Sequence, residues 1–533
     1  MPISSSQPVR FTPRGLVDAY DSTDTFPGAC RKLQNLVFDP SNPECVIARP
    51  GVGAPITTFS GLTTPGFISV HITIGNMVYG MIATGRNAGQ DEPFAYNLSN
   101  GTFTTITGIT SGNSPTSPST TGAWTPPTVA VVGTYLIITH SGYPSTQFGA
   151  LNLSTNAYSA QTLGTHALPS TPTAVTNLNN RAYFACGNAV YYSDVLSPLV
   201  ATTAGQSLTL GDSATITALS GLPVQTTSAG VVSALLVFKT TQIWQVTGDA
   251  AITNSLALNY LSLNIGTACP RSVSPSPLGT FFVGPDSAYV VSPMGGVMPV
   301  TSQMAGAGAS PDLRQPFGYV TIPSRVSAAF ASNIYRVCLP TIIDGAAGIY
   351  DYWFDTRKLR WNGPHTFNYD CVSSAGNYFI VSGQASGAAL FNSVAFPSTG
   401  TPYLDNGATY AVDLKTAALP KEDWMSMKSM IESTLELTSV GTGAVYTVIA
   451  SDDGGGYLAS STIQTPALGA TYGVAIYGLA TYTSSVNIPI TYKIPWSQPV
   501  VFSKLTLEVT CTVQAKVGIG TFFGRFQKLG YTL

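Results

Sequence analysis

The side chains suited to acid–base or metal chemistry are sparse and scattered in this chain. Histidine occurs at positions 71, 140, 166 and 365, with no HxxxH or HExxH spacing. A zinc site needs three or four N, S or O ligands within reach of one ion, and these histidines have no companions at ligand spacing. His71 and His140 fall in predicted strands, where a satisfied strand histidine outweighs a ligand. There is no GxSxG elbow and no P-loop. The cysteines, Cys30, Cys45, Cys186, Cys269, Cys338, Cys371 and Cys511, are odd in number and show no CxxC pair. They read as small buried hydrophobes in a reducing compartment. A Cys30–Cys45 bridge would need an oxidising environment.

Carboxylates are no better arranged. Glycoside hydrolysis needs two of them flanking the bond. The glutamates are Glu44, Glu92, Glu422, Glu432, Glu436 and Glu508, and only Glu92 falls between residues 61 and 396. The aspartates of that region sit mostly at predicted turns. Ser451-Asp452-Asp453-Gly454-Gly455-Gly456-Tyr457 begins like the Asp-box of sialidase propellers but lacks its Thr-Trp ending. It occurs once and reads as a hairpin turn. The expectation is no catalytic activity, no metal and no cofactor.

Charge is scarce. Only 9% of the 533 residues are charged and the net charge is −2, against about 25% charged in ordinary globular chains. Mean hydropathy is +0.21. A dedicated nucleic-acid binder carries a basic patch and a high pI, and neither is visible. The tight basic cluster is Arg357-Lys358-Leu359-Arg360, in a predicted hairpin turn. Its Arg357, Lys358 and Arg360 are candidate channel or interface charges. Low charge with positive hydropathy raises the question of a membrane. No apolar run approaches the roughly 20 residues that a spanning helix needs, so no transmembrane segment is expected. So few charges on so large a chain imply that much surface is buried against other subunits. The opening Met1-Pro2-Ile3-Ser4 has no basic region and no apolar run, so synthesis in the cytoplasm is the expectation.

The elements that position these residues announce themselves by repetition. A Gly or Asn turn followed at once by an aromatic-bearing strand recurs at Gly75-Asn76, Gly133-Thr134, Asn179-Asn180, Leu278-Gly279, Ser332-Asn333 and Gly376-Asn377, with Lys239-Thr240-Thr241 filling the gap. The spacing of roughly 40 to 60 residues is that of propeller blades. Several units carry a second hairpin: Asn97-Leu98-Ser99, Asn152-Leu153-Ser154 and Asp355-Thr356 each lead into a tight turn. Two hairpins make a four-stranded blade. The expected fold is all-β, a β-propeller of about six or seven blades over residues 61–396. A leader of residues 1–60 joins a β-sandwich-like platform formed by residues 397–533. Ala417 to Ser433 is the best helix candidate, with Pro420, Glu422 and Asp423 near its start, although Met425, Met427, Ser429 and Ile431 also alternate as a strand would.

The leader carries a resemblance. Pro27-Gly28-Ala29-Cys30-Arg31-Lys32-Leu33-Gln34-Asn35-Leu36-Val37, followed by Ala48-Arg49-Pro50-Gly51, is similar to the opening of the tail nozzle proteins of short-tailed bacteriophages. These are also called tail tubular protein B or packaged-DNA stabilisation proteins. That family places a Leu-x-Asn-Leu element and Arg-Pro-Gly ahead of a β-propeller. Arg181-Ala182-Tyr183-Phe184-Ala185 and Phe281-Phe282-Val283-Gly284-Pro285-Asp286 resemble its propeller segments. The resemblance implies a structural virion protein without catalytic activity. It implies a homo-oligomeric ring, a hexamer, that forms a channel and gate, retains packaged DNA and conducts it during ejection. The implied partners are an adaptor or head-to-tail connector, tail needle, spike or fibre proteins, and double-stranded DNA passing without sequence preference. Asn35, Arg49, Pro50 and Gly51 become the assembly motif, with Arg49-Pro50-Gly51 setting the turn from platform into first blade. A carbohydrate-binding propeller adhesin or receptor-binding tail protein is the alternative reading.

Overall fold

A computed structural model describes residues 7–18, 26–59, 67–83, 89–117, 125–203, 205–226, 230–248, 250, 255–301, 312–383, 389–398, 400–420, 426–439, 443–465 and 489–532. The chain divides into two compact units. One is built from residues 55–349 and 368–392, the other from 1–54, 350–367 and 393–533. Among the described residues helix is confined to Gln315–Gly318 and two 3-10 turns, and all else regular is strand.

The first unit is a propeller with six four-stranded antiparallel blades. Their first strands are Phe67–Ile74, Thr128–Val132, Ala174–Leu178, Ile216–Thr226, Ser274–Ser276 and Tyr369–Ala375. Each of the first five packs beside the next. Between the fifth and sixth blades the hairpin Ser327–Ala331/Ile334–Ile343 fills a further ring position, and Tyr369–Ala375 returns to Phe67–Ile74. The sixth blade takes its fourth strand from earlier in the chain: Thr57–Thr58 pairs with Leu390 and Ala389.

The repeated turn signature is the first hairpin of each blade. Ile74 faces Met77, Val132 faces Tyr135, Leu178 faces Arg181 and Ala375 faces Tyr378, each across a two-residue loop. Such loops twist with the strands only when their residues take positive φ. Asn179 and Asn180 do so at 50° and 58°. Blade four departs from the expected register. Lys239-Thr240-Thr241 lies in its second turn, because its first hairpin uses strands of eleven and ten residues, Ile216–Thr226 and Gly230–Lys239. Blades adhere through apolar faces, as where Phe148 meets Phe184 at 4.6 Å and Phe238 meets Phe282 at 5.2 Å between ring centroids.

The second unit is a pair of antiparallel sheets. One contains Leu36–Phe38, Val46–Ala48, Val517–Thr532, Ser426–Ser439 and Ile490–Lys493, with Gln7–Phe11 on its long strand. The other contains Arg360–His365, Ala29–Gln34, Tyr410–Thr416, Leu505–Val513, Val445–Asp452 and Tyr457–Gln464. Phe11, Leu435, Ile519 and Phe522 of the first sheet meet Leu414, Val448, Leu507 and Val509 of the second, the interior of a sandwich.

Two expectations are corrected here. The helix proposed over 417–433 is absent from its described part, since Ser426–Ser439 is a 14-residue strand. Its apolar residues alternate, and cross-strand pairing with Val517–Thr532 decides the matter over local propensity. Lys421, Glu422, Asp423 and Met425 lie outside the described residues. Residues 350–367, expected in the propeller, belong to the sandwich unit. Strand Arg360–His365 finds its partner in the leader, with Leu33 facing Gly363.

Candidate functional site

The leader motif folds into a single polar knot within the sandwich unit. Asn35 sits between strand Ala29–Gln34 of one sheet and strand Leu36–Phe38 of the other, fully buried, with φ of 55°. Asparagine tolerates this left-handed conformation where most residues do not. One residue therefore passes the chain from sheet to sheet. Its Nδ2 donates to Ala411 O at 2.8 Å and Thr366 Oγ1 at 2.9 Å. Its Oδ1 accepts from Thr366 N at 2.9 Å and Arg49 Nε at 3.0 Å. The side-chain amide is thus fully used.

Arg49 continues the knot. Its side chain is 2% exposed. The guanidinium donates to Pro50 O at 2.9 Å and Asp405 Oδ1 at 3.0 Å, and a second nitrogen pairs with Asp405 Oδ2. It lies 4.5 Å from the Tyr410 ring centroid, and the Tyr410 hydroxyl donates back to Arg49 O. A planar fork against a carboxylate and an aromatic face is a role lysine cannot fill. Burial pushes the Tyr410 hydroxyl above its ordinary range, with the Arg49 charge working against that shift.

Gly51 serves a different purpose from the one expected. It does not have positive φ; a Cβ there would lie 2.3 Å from Leu404 O, and its N–H donates to Pro402 O at 2.8 Å. Close backbone approach, rather than a sharp reversal, explains the glycine. Gly53, at φ of 65°, makes the turn.

The basic cluster is engaged locally. Asp355 Oδ1 accepts from Arg357 N at 2.9 Å, the Asx geometry that Asn97 and Asn152 also use in their own hairpins. Arg357 pairs with Asp355 at 2.8 Å and stands over Phe396, while Arg360 stands over Phe26. Lys358 donates its backbone N–H to Asp355 at 3.3 Å.

The propeller histidines are satisfied. His140 Nε2 meets Asp91 Oδ2 at 2.7 Å with both side chains fully buried, and Gly142 N donates to Nδ1 at 2.9 Å. With both ring nitrogens occupied, the imidazole has none left to activate a nucleophile. His71 Nδ1 meets Ser373 Oγ at 2.7 Å and Nε2 lies 3.3 Å from Cys371 O. Burial would raise the Cys371 thiol, but the neighbouring His71 and Arg271 charges win and bring it to about 7. That thiol is 2% exposed. His365 Nε2 bonds Asn362 Oδ1 at 2.9 Å, and His166 is exposed. All seven cysteines are free and buried, and burial holds the Cys30 and Cys45 thiols up at about 12. Among the described residues no His, Cys, Asp or Glu group is placed to hold a metal. The Asp452 turn is a hairpin tip in which Gly456 N donates to Asp452 Oδ1 at 2.6 Å.

Several partners escaped the sequence: Asp405, Tyr410 and Thr366 in the knot, and Arg271 in the propeller. Arg271 precedes the fifth blade, yet it donates to Ser69 O on the first strand of the first blade at 2.5 Å and to Ser324 O at 3.0 Å. It ties the 3-10 turn Pro270–Ser272, ahead of the fifth blade, to the first strand of the first blade and to the 3-10 turn Pro323–Arg325.

With this geometry the chain is defined as an all-β protein, a propeller plus additional antiparallel sheets. No family model matches it and no curated protein sequence matches it. Among solved structures it is similar to the WD40 β-propeller domain of Doa1, at 9% identity and a TM-score of 0.36, over 63% of this chain and 96% of that one. It is also similar to the Dos1 propeller, at 11% identity and 0.35, over 68% and 92%. YCF48 bound to D1 peptide gives 10% identity and 0.34, over 64% and 99%. Likeness at this level carries no argument about activity or partners.

Proposed function

We propose that this chain is a structural virion protein, the tail nozzle of a short-tailed phage, which assembles as a homo-oligomeric ring that retains packaged DNA and conducts it during ejection. One observation carries the reading. The leader residues that resemble the nozzle family, Asn35, Arg49, Pro50 and Gly51, are bonded to one another or to Thr366, Pro402, Asp405 and Ala411 within a single compact unit built with the C-terminal strands. The motif thus has a physical reason to be present, as the core of a platform that docks onto an adaptor. Low charge fits a conduit, since each phosphate contact adds affinity and salt dependence that would hold DNA back. The contact from Arg271 to Ser69 O supports placing the conduit between subunits in this reading, rather than along one propeller axis. Arg357 and Arg360 brace their own hairpin, so Lys358 is the channel or interface charge that this reading retains. No catalysis is assigned.

The test is negative-stain electron microscopy and native mass spectrometry of the purified chain, with immunogold labelling of phage particles that carry it. Rings of six with an open centre, and label at the tail, are expected. A chain that stays monomeric at micromolar concentration and is absent from particles overturns the proposal.

A further inference from the structure

We propose that the outer flank of the fourth blade is a binding site for a neutral glycan. Strands Ile243–Thr247 and Ala257–Ser262 place Trp244 opposite Tyr260, with ring centroids 6.2 Å apart and planes at 74°. Tyr260 is 64% exposed. The indole is half-buried, and Gly211, at φ of 56°, lets the turn backbone pack closely against it, since a Cβ there would stand 2.6 Å from Trp244 Cζ2. The aromatic corner is joined to a fixed polar chain. Trp244 Nε1 donates to Gln242 Oε1 at 3.0 Å, and Gln242 Nε2 donates to Asp212 Oδ2 at 2.9 Å. Lys239, fully buried, donates to Asp212 Oδ1 at 2.7 Å and to Leu210 O and Asp212 O at 2.7 and 2.8 Å. The Asp212 side chain is nonetheless 53% exposed.

A sugar ring has an apolar face of C–H groups and an edge of hydroxyls. It needs an exposed aromatic ring to stack upon and planar polar groups, already held in orientation, to accept and donate at the edge. Both are present here within one turn and two strands. An apolar protein segment on Tyr260 would press against an ionised carboxylate and an amide and strip their water without replacing it. Hydroxyls replace that water. Acidic sugars would meet the Asp212 charge, which the Lys239 hydrogen bond keeps ionised. The ligand class is therefore neutral.

Saturation-transfer NMR on the full chain tests this, with neutral oligosaccharides of glucose, galactose, mannose, rhamnose and N-acetylglucosamine and a sialylated control. At least one neutral oligosaccharide should bind and the control should not. Y260A should weaken binding by about tenfold or more, while Y260F, which keeps the stacking face, should stay within about twofold. Tyr260 is largely exposed, so circular dichroism of Y260A should match the parent. The proposal fails if no neutral oligosaccharide binds, if Y260A binds as well as the parent, or if the sialylated control binds best. It also fails if light scattering shows Y260A breaking up an oligomer with no saccharide bound, because the flank is then a subunit contact. Saccharide binding itself is read whether or not the chain forms a ring, so failure here and failure of the nozzle reading are distinguishable.

Discussion

Replacing Asn35 with alanine should cost the sandwich unit about 4 kcal/mol. Alanine has no amide, so Thr366 N, Ala411 O and Arg49 Nε each lose a buried partner. An orphaned buried group costs about 1 kcal/mol at the low end, which gives roughly 3 kcal/mol for three of them. The φ of 55° adds about 1 kcal/mol for alanine, which lacks the short polar side chain that lets asparagine tolerate this region. Glycine loses the same bonds but adopts that φ freely. Part of its gain returns through a more flexible unfolded chain, so N35G should be about 1 kcal/mol less destabilised than N35A. Urea unfolding of the full chain, followed by hydrogen exchange of strands 29–38 and 410–416, reads both values. With a urea slope of about 2 kcal/mol per molar, N35A should unfold these strands about 2 M earlier. A loss below about 1 kcal/mol, or N35G falling at or below N35A, would refute the knot as the origin of the asparagine.

D405N should lower stability by about 3–5 kcal/mol, because it leaves the buried Arg49 guanidinium without its counter-charge; an unchanged thermal midpoint would contradict this. G51A should cost about 2 kcal/mol, since the new methyl meets the Leu404 backbone, and a melt within a degree of the parent would show that the approach relaxes freely. Ellman's reagent should find no rapidly reacting thiol in the native chain and all seven in denaturant without reductant; two fewer would reveal a disulfide. Asp212 has a carboxyl lowered from 3.8 by its Lys239 hydrogen bond. Its ion therefore contributes stability that is present above pH 3.8 and lost as pH falls through the lower folded value. D212N should be less stable than the parent at pH 7 and converge with it in acid, and a gap that persists at pH 2 would rule out the ion pair as its cause.

The blade hairpins were legible because their turns are chemically constrained. Gly75-Asn76, Asn179-Asn180 and Gly376-Asn377 are residue pairs that two-residue loops require, and Asn97 and Asn152 cap the second turns from within one local segment. What the sequence hid was pairing at a distance. Nothing local in Arg360–His365 says that its neighbour is Leu33. The strand Ser426–Ser439 carries good helix formers and becomes a strand through Val517–Thr532. In the knot, Asn35 and Arg49 stood out by order and setting, but Asp405 and Tyr410 reach Arg49 from far along the chain and leave no periodic trace. The displaced register of blade four shows the same limit, since an unusually long hairpin shifts a repeat that is read by spacing alone.

The pairing of Val46–Ala48 with Val517–Thr532 also sets an order in time. On a ribosome the leader strands emerge first, and their partner emerges only after the whole propeller sequence has been made. At about 5–20 residues per second, that delay is roughly half a minute to a minute and a half. Throughout it, strand Val46–Ala48 has an open edge; Ala29–Gln34 waits for Arg360–His365 and Tyr410–Thr416, and Arg49 has no carboxylate until Asp405 arrives. The first five blades each close from consecutive hairpins and have no such wait; the sixth waits only for Thr57–Thr58 to be met by Ala389 and Leu390. The sandwich unit is thus the last part of the nascent chain to be completed, and premature termination between residues 393 and 517 would release a propeller with all its blade strands and a leader whose strand Val46–Ala48 lacks its long partner.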